Sequence, residues 1–119
     1  MHQYKELKLW QKAIELVSEI YNLTDCFPER ERFGLISQIN RAAVSIPSNI
    51  AEGAGRNSDK EFVQFLAIAH ASTYEVETQL IISKNLGYLL DDNLEAMLGK
   101  IAELQKMNYA FQQKLKSKY

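Results

Sequence analysis

The chain has 119 residues, enough for one domain, and folding a chain of this length buries roughly two thirds of its unfolded surface. Fourteen basic against fifteen acidic side chains leave a formal charge of −1, which excludes the strongly basic class of nucleic-acid binder and leaves only local patches for such contacts. A single cysteine, Cys26, forms no internal disulfide, no apolar run follows Met1, and no stretch approaches the roughly 20 apolar residues of a membrane span; the expectation is a cytoplasmic protein that does not enter membranes.

Two prolines, five glycines and no alternating run of β-branched residues predict an all-α chain of four helices. The first spans about Lys5 to Asp25. Its polar residues, from Lys8, Gln11 and Lys12 to Glu19 and Asn22, fit one arc of about 120°, and apolar residues fill about 200° of the rest. That is about twice the stripe a surface helix usually hides, so Leu9, Trp10, Ala13, Leu16 and Ile20 are candidates for an oligomer interface.

The second helix is expected from Pro28, well suited to a first helical position, to Gly53. Leu35, Ile36, Ile39, Ala42, Ala43, Ile46 and Ile50 share one arc of about 120° that passes through Pro47 without a change of phase. Two readings fit: one helix kinked at Pro47, or a short new helix capped by Ser45. Phase continuity favours the kinked helix, with Ser45, Ser48 and Asn49 placed to serve the backbone around the proline, whose uncompensated cost is about 3 kcal/mol.

Gly53 and Gly55 end that helix, and Ser58 with Glu61 forms a capping box that opens a third, spanning about 58–86 with Gly87 as the residue that stops it. From Phe62 to Tyr74 it carries no charge, which predicts burial on several sides. Asp91 or Asp92 is expected to cap the fourth helix, about 92–116, with Leu94, Met97, Leu98, Ile101, Leu104, Phe111 and Leu115 as its apolar side. Long helices joined by short connections predict an antiparallel up-down four-helix bundle, and the alanines of the middle two helices allow close approach.

"LKLWQKAIEL", "FPERERFGLISQINRAAVSIPSNIAEGAGRNSDKEFVQFLAIAHASTYEVETQL" and "NLGYL" resemble the 23S rRNA intervening sequence proteins over about Leu7 to Leu89. The resemblance implies a non-enzymatic four-helix bundle that assembles as a homopentameric ring. It also implies a fold similar to the accessory variability determinant of diversity-generating retroelements, a pentamer that binds nucleic acid and reverse transcriptase.

Enzyme-like constellations are sparse. His70 has Ala67 three residues before it rather than the glutamate of a di-iron motif, so neither metal nor cofactor is expected. Cys26 follows Asp25, whose charge disfavours a thiolate. The "GAG" at 53–55 lacks the spacing and lysine of a phosphate loop.

A polar row on the second helix is more informative: Arg41, Ser45, Asn49 and Glu52 share a face with Gln38 and Ser48. Glu75 on the third helix is expected to be partly buried, with Arg41 or Arg56 as its cationic partner. The expectation is a structural network of these six residues, Arg41, Ser45, Asn49, Glu52, Arg56 and Glu75; a small-molecule sensor or enzyme site in the same cluster is the alternative. Lys114, Lys116 and Lys118 would become a multivalent anion-binding surface when repeated around a ring. The sequence therefore predicts a self-assembling scaffold for a protein or nucleic-acid partner, with RNA binding through those lysines as the runner-up.

Overall fold

The computed structural model describes residues 2–119. Four helices follow in order: α1 (Lys8–Thr24), α2 (Leu35–Ala54), α3 (Asp59–Asn85) and α4 (Asp91–Lys116), with single 3₁₀ turns at Tyr4–Glu6 and Glu29–Glu31. Each helix packs on the next in sequence, and α4 returns to α1 to close the bundle. Cross-helix contacts give the directions. Gln38 meets Gln79 and Ser45 meets Ser72, while Gly53 lies against Phe62 and Phe65, so numbers rise along α2 as they fall along α3. Lys84 pairs with Asp91 and Asn108 bonds to Leu66 in the same opposed sense between α3 and α4.

Sequence signals set most helix ends. Ser58 Oγ accepts from the Glu61 N–H at 3.1 Å, opening α3. Gly87 adopts φ 83°, and the Tyr88 N–H reaches back to Ser83 O at 2.9 Å, which closes α3 in the left-handed manner that favours glycine.

Three boundaries differ from expectation. α1 starts at Lys8 because Leu7 is extended (φ −75°, ψ 123°) and separates it from the Tyr4–Glu6 turn. The stretch after Pro28 makes only a 3₁₀ turn before Gly34 (φ −112°, ψ −114°) interrupts the helical path, so α2 begins at Leu35. Asp91 and Asp92 lie in the first turn of α4 rather than capping it; the extended residue before it is Leu90, and Asp91 pairs with Lys84 at 3.1 Å.

Pro47 sits inside the continuous α2 and is buried. On its flanks Ser45 Oγ donates to Ala42 O at 2.7 Å, and Asn49 Nδ2 donates to Ser45 O at 2.8 Å. Both side chains thus serve backbone carbonyls in the turns around the residue that lacks an N–H.

The core is built from Ile39, Ile46 and Ile50 of α2, Phe62, Leu66, Val76 and Leu80 of α3, Ile101, Leu104 and Leu115 of α4, and one side of α1. Leu9, Ala13, Leu16 and Ile20 form that side, each at most 4% exposed within a single chain. This corrects their assignment to an oligomer interface: α2, α4 and the Tyr4–Glu6 turn together cover more of α1 than a single neighbour would. Trp10 alone of the five stays half-buried, its ring set edge-on to Tyr4 at 5.2 Å.

α2 and α3 approach closely at Gly53, where an added Cβ would lie 2.6 Å from Phe65 Cβ and 2.8 Å from Phe62 Cδ1. Overpacking of this kind costs about 1–3 kcal/mol, against a helix-propensity gain of about 1 kcal/mol for alanine. Gly53→Ala is therefore expected to lower the thermal midpoint, and Gly53→Val to lower it further, in melts followed by far-ultraviolet circular dichroism.

Candidate functional site

The outward sides of α3 and α4 differ in kind. Eight of the fourteen exposed positions of α4 are charged, as suits a helix facing water. From Gln64 to Leu86, by contrast, eleven residues of and just beyond α3 are exposed and Glu75 alone is charged. Ile68, Tyr74, Ile81, Ile82 and Leu86 lie on this side, each between 42% and 54% exposed. The expectation that the uncharged stretch is buried on several sides is thus corrected: Ala67, Ile68, Ala71 and Tyr74 are uncharged and open. Burying the open half of each large side chain would stabilise a contact by roughly 1 kcal/mol apiece.

α2 presents the polar row beside this face. The Ser45 and Ser72 hydroxyls share a hydrogen bond at 2.7 Å, a link between α2 and α3 in which Ser45 Oγ accepts because its one proton goes to Ala42 O. Glu52 and Arg56 pair at 3.1 Å, but both side chains are exposed, so the pair adds little stability. Arg56 also lies over the Phe65 ring, 4.5 Å from its centroid.

Glu75 is exposed rather than partly buried, and among the described residues neither Arg41 nor Arg56 forms an ion pair with it. Its angular position on α3 points it out of the bundle, toward an open cleft lined by Ser37, Gln38, Arg41, Ala42, Ser45 and Glu75. Gln79 lies beneath, its Nε2 within 3.5 Å of Glu75 Oε2 and its Oε1 buried without a partner. Of the six expected members, Arg41, Ser45 and Glu75 line this cleft, while Asn49, Glu52 and Arg56 follow further along α2 and just past its end.

Two further features were not anticipated. An apolar groove runs between α1 and α2, walled by Trp10, Ile14, Val17, Val44, Pro47 and Ala51, with Tyr4 and Ser48 at its margins. At the bundle end where α1 turns into α2, Phe33 stands 90% exposed. Its neighbour Glu31 fixes that turn: one carboxylate oxygen accepts from the Leu35 N–H at 3.2 Å, the other from the Tyr88 hydroxyl at 2.8 Å.

The model of the 23S rRNA-intervening sequence protein family matches residues 5–110. The chain belongs to that family. No curated protein sequence matches it. Among solved structures it is similar to a protein of unknown function from the S23 ribosomal protein family of Bacteroides thetaiotaomicron, with a TM-score of 0.78 and 24% identity over 87% of this chain and 97% of that one. That likeness supports the four-helix fold. The family match also extends past Leu89 into α4, where the sequence motifs end.

In this member of the 23S rRNA-intervening sequence family, Lys114, Lys116 and Lys118 are all exposed, and none forms an ion pair among the described residues. They lie at the end of the bundle opposite Phe33. Cys26 is exposed, and its thiol faces the Asn22 carbonyl at 3.9 Å. His70 packs edge-on against Tyr74 at 5.2 Å, with Nδ1 buried and unpaired. Among the described residues no three His, Cys, Asp or Glu side chains are grouped to hold a metal ion, and no helix is long and apolar enough to cross a membrane.

The Tyr88 hydroxyl, and after it the Leu35 amide, holds the Glu31 carboxyl below its ordinary range. A depressed folded value means stability that is present above the unfolded pKa and lost as pH falls through the folded one. Glu31→Gln is expected to be less stable than the wild type near pH 7, and the difference should close in acid, as read from urea melts across a pH series.

Proposed function

We propose that this protein is a non-enzymatic, self-assembling scaffold, a homopentameric ring in the form its family resemblance implies, that presents repeated surfaces to a protein or nucleic-acid partner. One observation carries the reading: the side of α3 that from Gln64 to Leu86 exposes eleven residues with a single charge, on a chain whose α4 meets water with charges. Large exposed apolar patches on otherwise well-packed domains mark interaction surfaces. A ring repeats every remaining surface around its axis, so weak contacts made by one subunit gain avidity.

Native mass spectrometry at micromolar concentration tests the assembly. The wild type is expected as a closed oligomer of five chains, and Ile68→Glu combined with Ile82→Glu as a folded species of lower order. A wild type that remains monomeric under these conditions would overturn the reading.

A second reading rests on Lys114, Lys116 and Lys118, which stand exposed and, among the described residues, without ion-pair partners at one end of each subunit. In a ring they form a cationic rim suited to RNA. Fluorescence anisotropy against structured and single-stranded RNA over a salt series should show affinity falling as salt rises, with each phosphate contact contributing about 0.7–0.9 to the slope. Replacing the three lysines by glutamine should flatten that slope, and no binding at low salt would remove this reading while leaving the scaffold intact.

A further inference from the structure

Phe33 is the least buried large apolar side chain of the described residues, yet its backbone is not loose. The Glu31 N–H bonds to Pro28 O at 2.9 Å, Arg32 N–H to Glu29 O at 3.0 Å, and Gly34 N–H to Glu31 O at 2.9 Å. The Glu31 carboxylate then binds this turn to the first residue of α2 and to Tyr88 in the α3–α4 connection. The guanidinium of Arg32 lies over the ring, 5.7 Å from its centroid. A rigidly held, desolvated-on-contact aromatic loses little conformational freedom on binding, which is the character of an interface anchor.

The same chain offers an apolar recess that its own Phe33 cannot fill. The α1/α2 groove opens about 400 Å³ between Trp10, Ile14, Val17, Val44, Pro47 and Ala51. Val44 lies ten residues further along α2 than Gly34, roughly 15 Å at the helical rise, beyond the reach of a phenylalanine side chain. Ile14 and Val44 on its walls are each 40% exposed. Charge agrees with the shapes. Lys5, whose Nζ lies 6.0 Å over the Tyr4 ring at the groove margin, has no ion-pair partner among the described residues, and Asp25, which ends α1 at the same end of the bundle as Phe33, has none either.

We propose that Phe33 of one copy seats in the α1/α2 groove of a second copy of this chain. The inference rests on the self-assembly reading and adds which surfaces meet. A knob and a recess at different places on one subunit make a head-to-tail contact, and such contacts close into rings when the rotation between copies allows it. The Phe33 turn touches the end of the bundle where α3 finishes and Leu86 is exposed, so the knob stands at the end of the apolar side of α3.

A complementation experiment tests this with two surface variants. Phe33→Ala removes the knob and keeps the groove; Val44→Glu blocks the groove and keeps the knob. Both positions are exposed, so both variants should fold, as circular dichroism would verify. Sedimentation velocity on each variant alone should show assembly weakened by about thirtyfold in concentration, the range of an interface anchor. Mixing the two should restore one good contact and yield heterodimers. A Phe33→Ala protein that assembles at the wild-type concentration, or a mixture as dissociated as its components, would overturn the inference while leaving self-assembly standing. A wild type that is itself monomeric would remove both.

Discussion

A helix in a closed bundle of four can bury only the arc that faces its neighbours and the shared core, and what remains of its circumference must meet either water or another molecule. α4 meets water: its outward positions carry Glu95, Lys100, Glu103 and Lys106. α3 does not have that chemistry. Its inward arc of Phe62, Leu66, Val76 and Leu80 is filled, and Ile68, Tyr74, Ile81 and Ile82 remain outside. A subunit with a complete core and a surplus apolar side is stable enough to fold and still gains from association.

The arrangement of polar groups follows from the same constraint. α2 and α3 approach closely at Gly53 and through the buried alanines of α2, which leaves no room there for long side chains. Short polar groups fill the seam instead, as with Ser45 and Ser72. The longer ones, Arg41, Glu52, Arg56 and Glu75, are displaced to the outer edge, where they lie exposed. A strip of exposed polar groups beside an apolar side resembles the polar rim of a protein interface more than the convergent cluster of an active site.

Much of the architecture was legible in the sequence. The phase of Ile39, Ile46 and Ile50 passes through Pro47 because the backbone is one helix there, and Ser58 and Gly87 mark the ends of α3 by the chemistry of their side chains and φ angles. Which apolar side chains stay exposed was not legible. An arc drawn on α1 counts residues without knowing how many neighbours cover them, so Leu9, Ala13, Leu16 and Ile20 read as surplus when they are core. The uncharged run of α3 read as internal because composition counts apolar residues without showing which of them the bundle covers. Phe33 gave no periodic signal at all: it stands in a turn, and its exposure depends on how Glu31, Gly34 and Tyr88 fold around it.

The central claim, that another copy covers the open side of α3, can be read from two tyrosines in the same molecule. Tyr74 on α3 and Tyr109 on α4 are similarly exposed in the single chain, at 53% and 61%. Hydroxyl-radical footprinting of the wild type at micromolar concentration should label Tyr109 freely and Tyr74 several times more slowly. Equal labelling of the two would contradict the account.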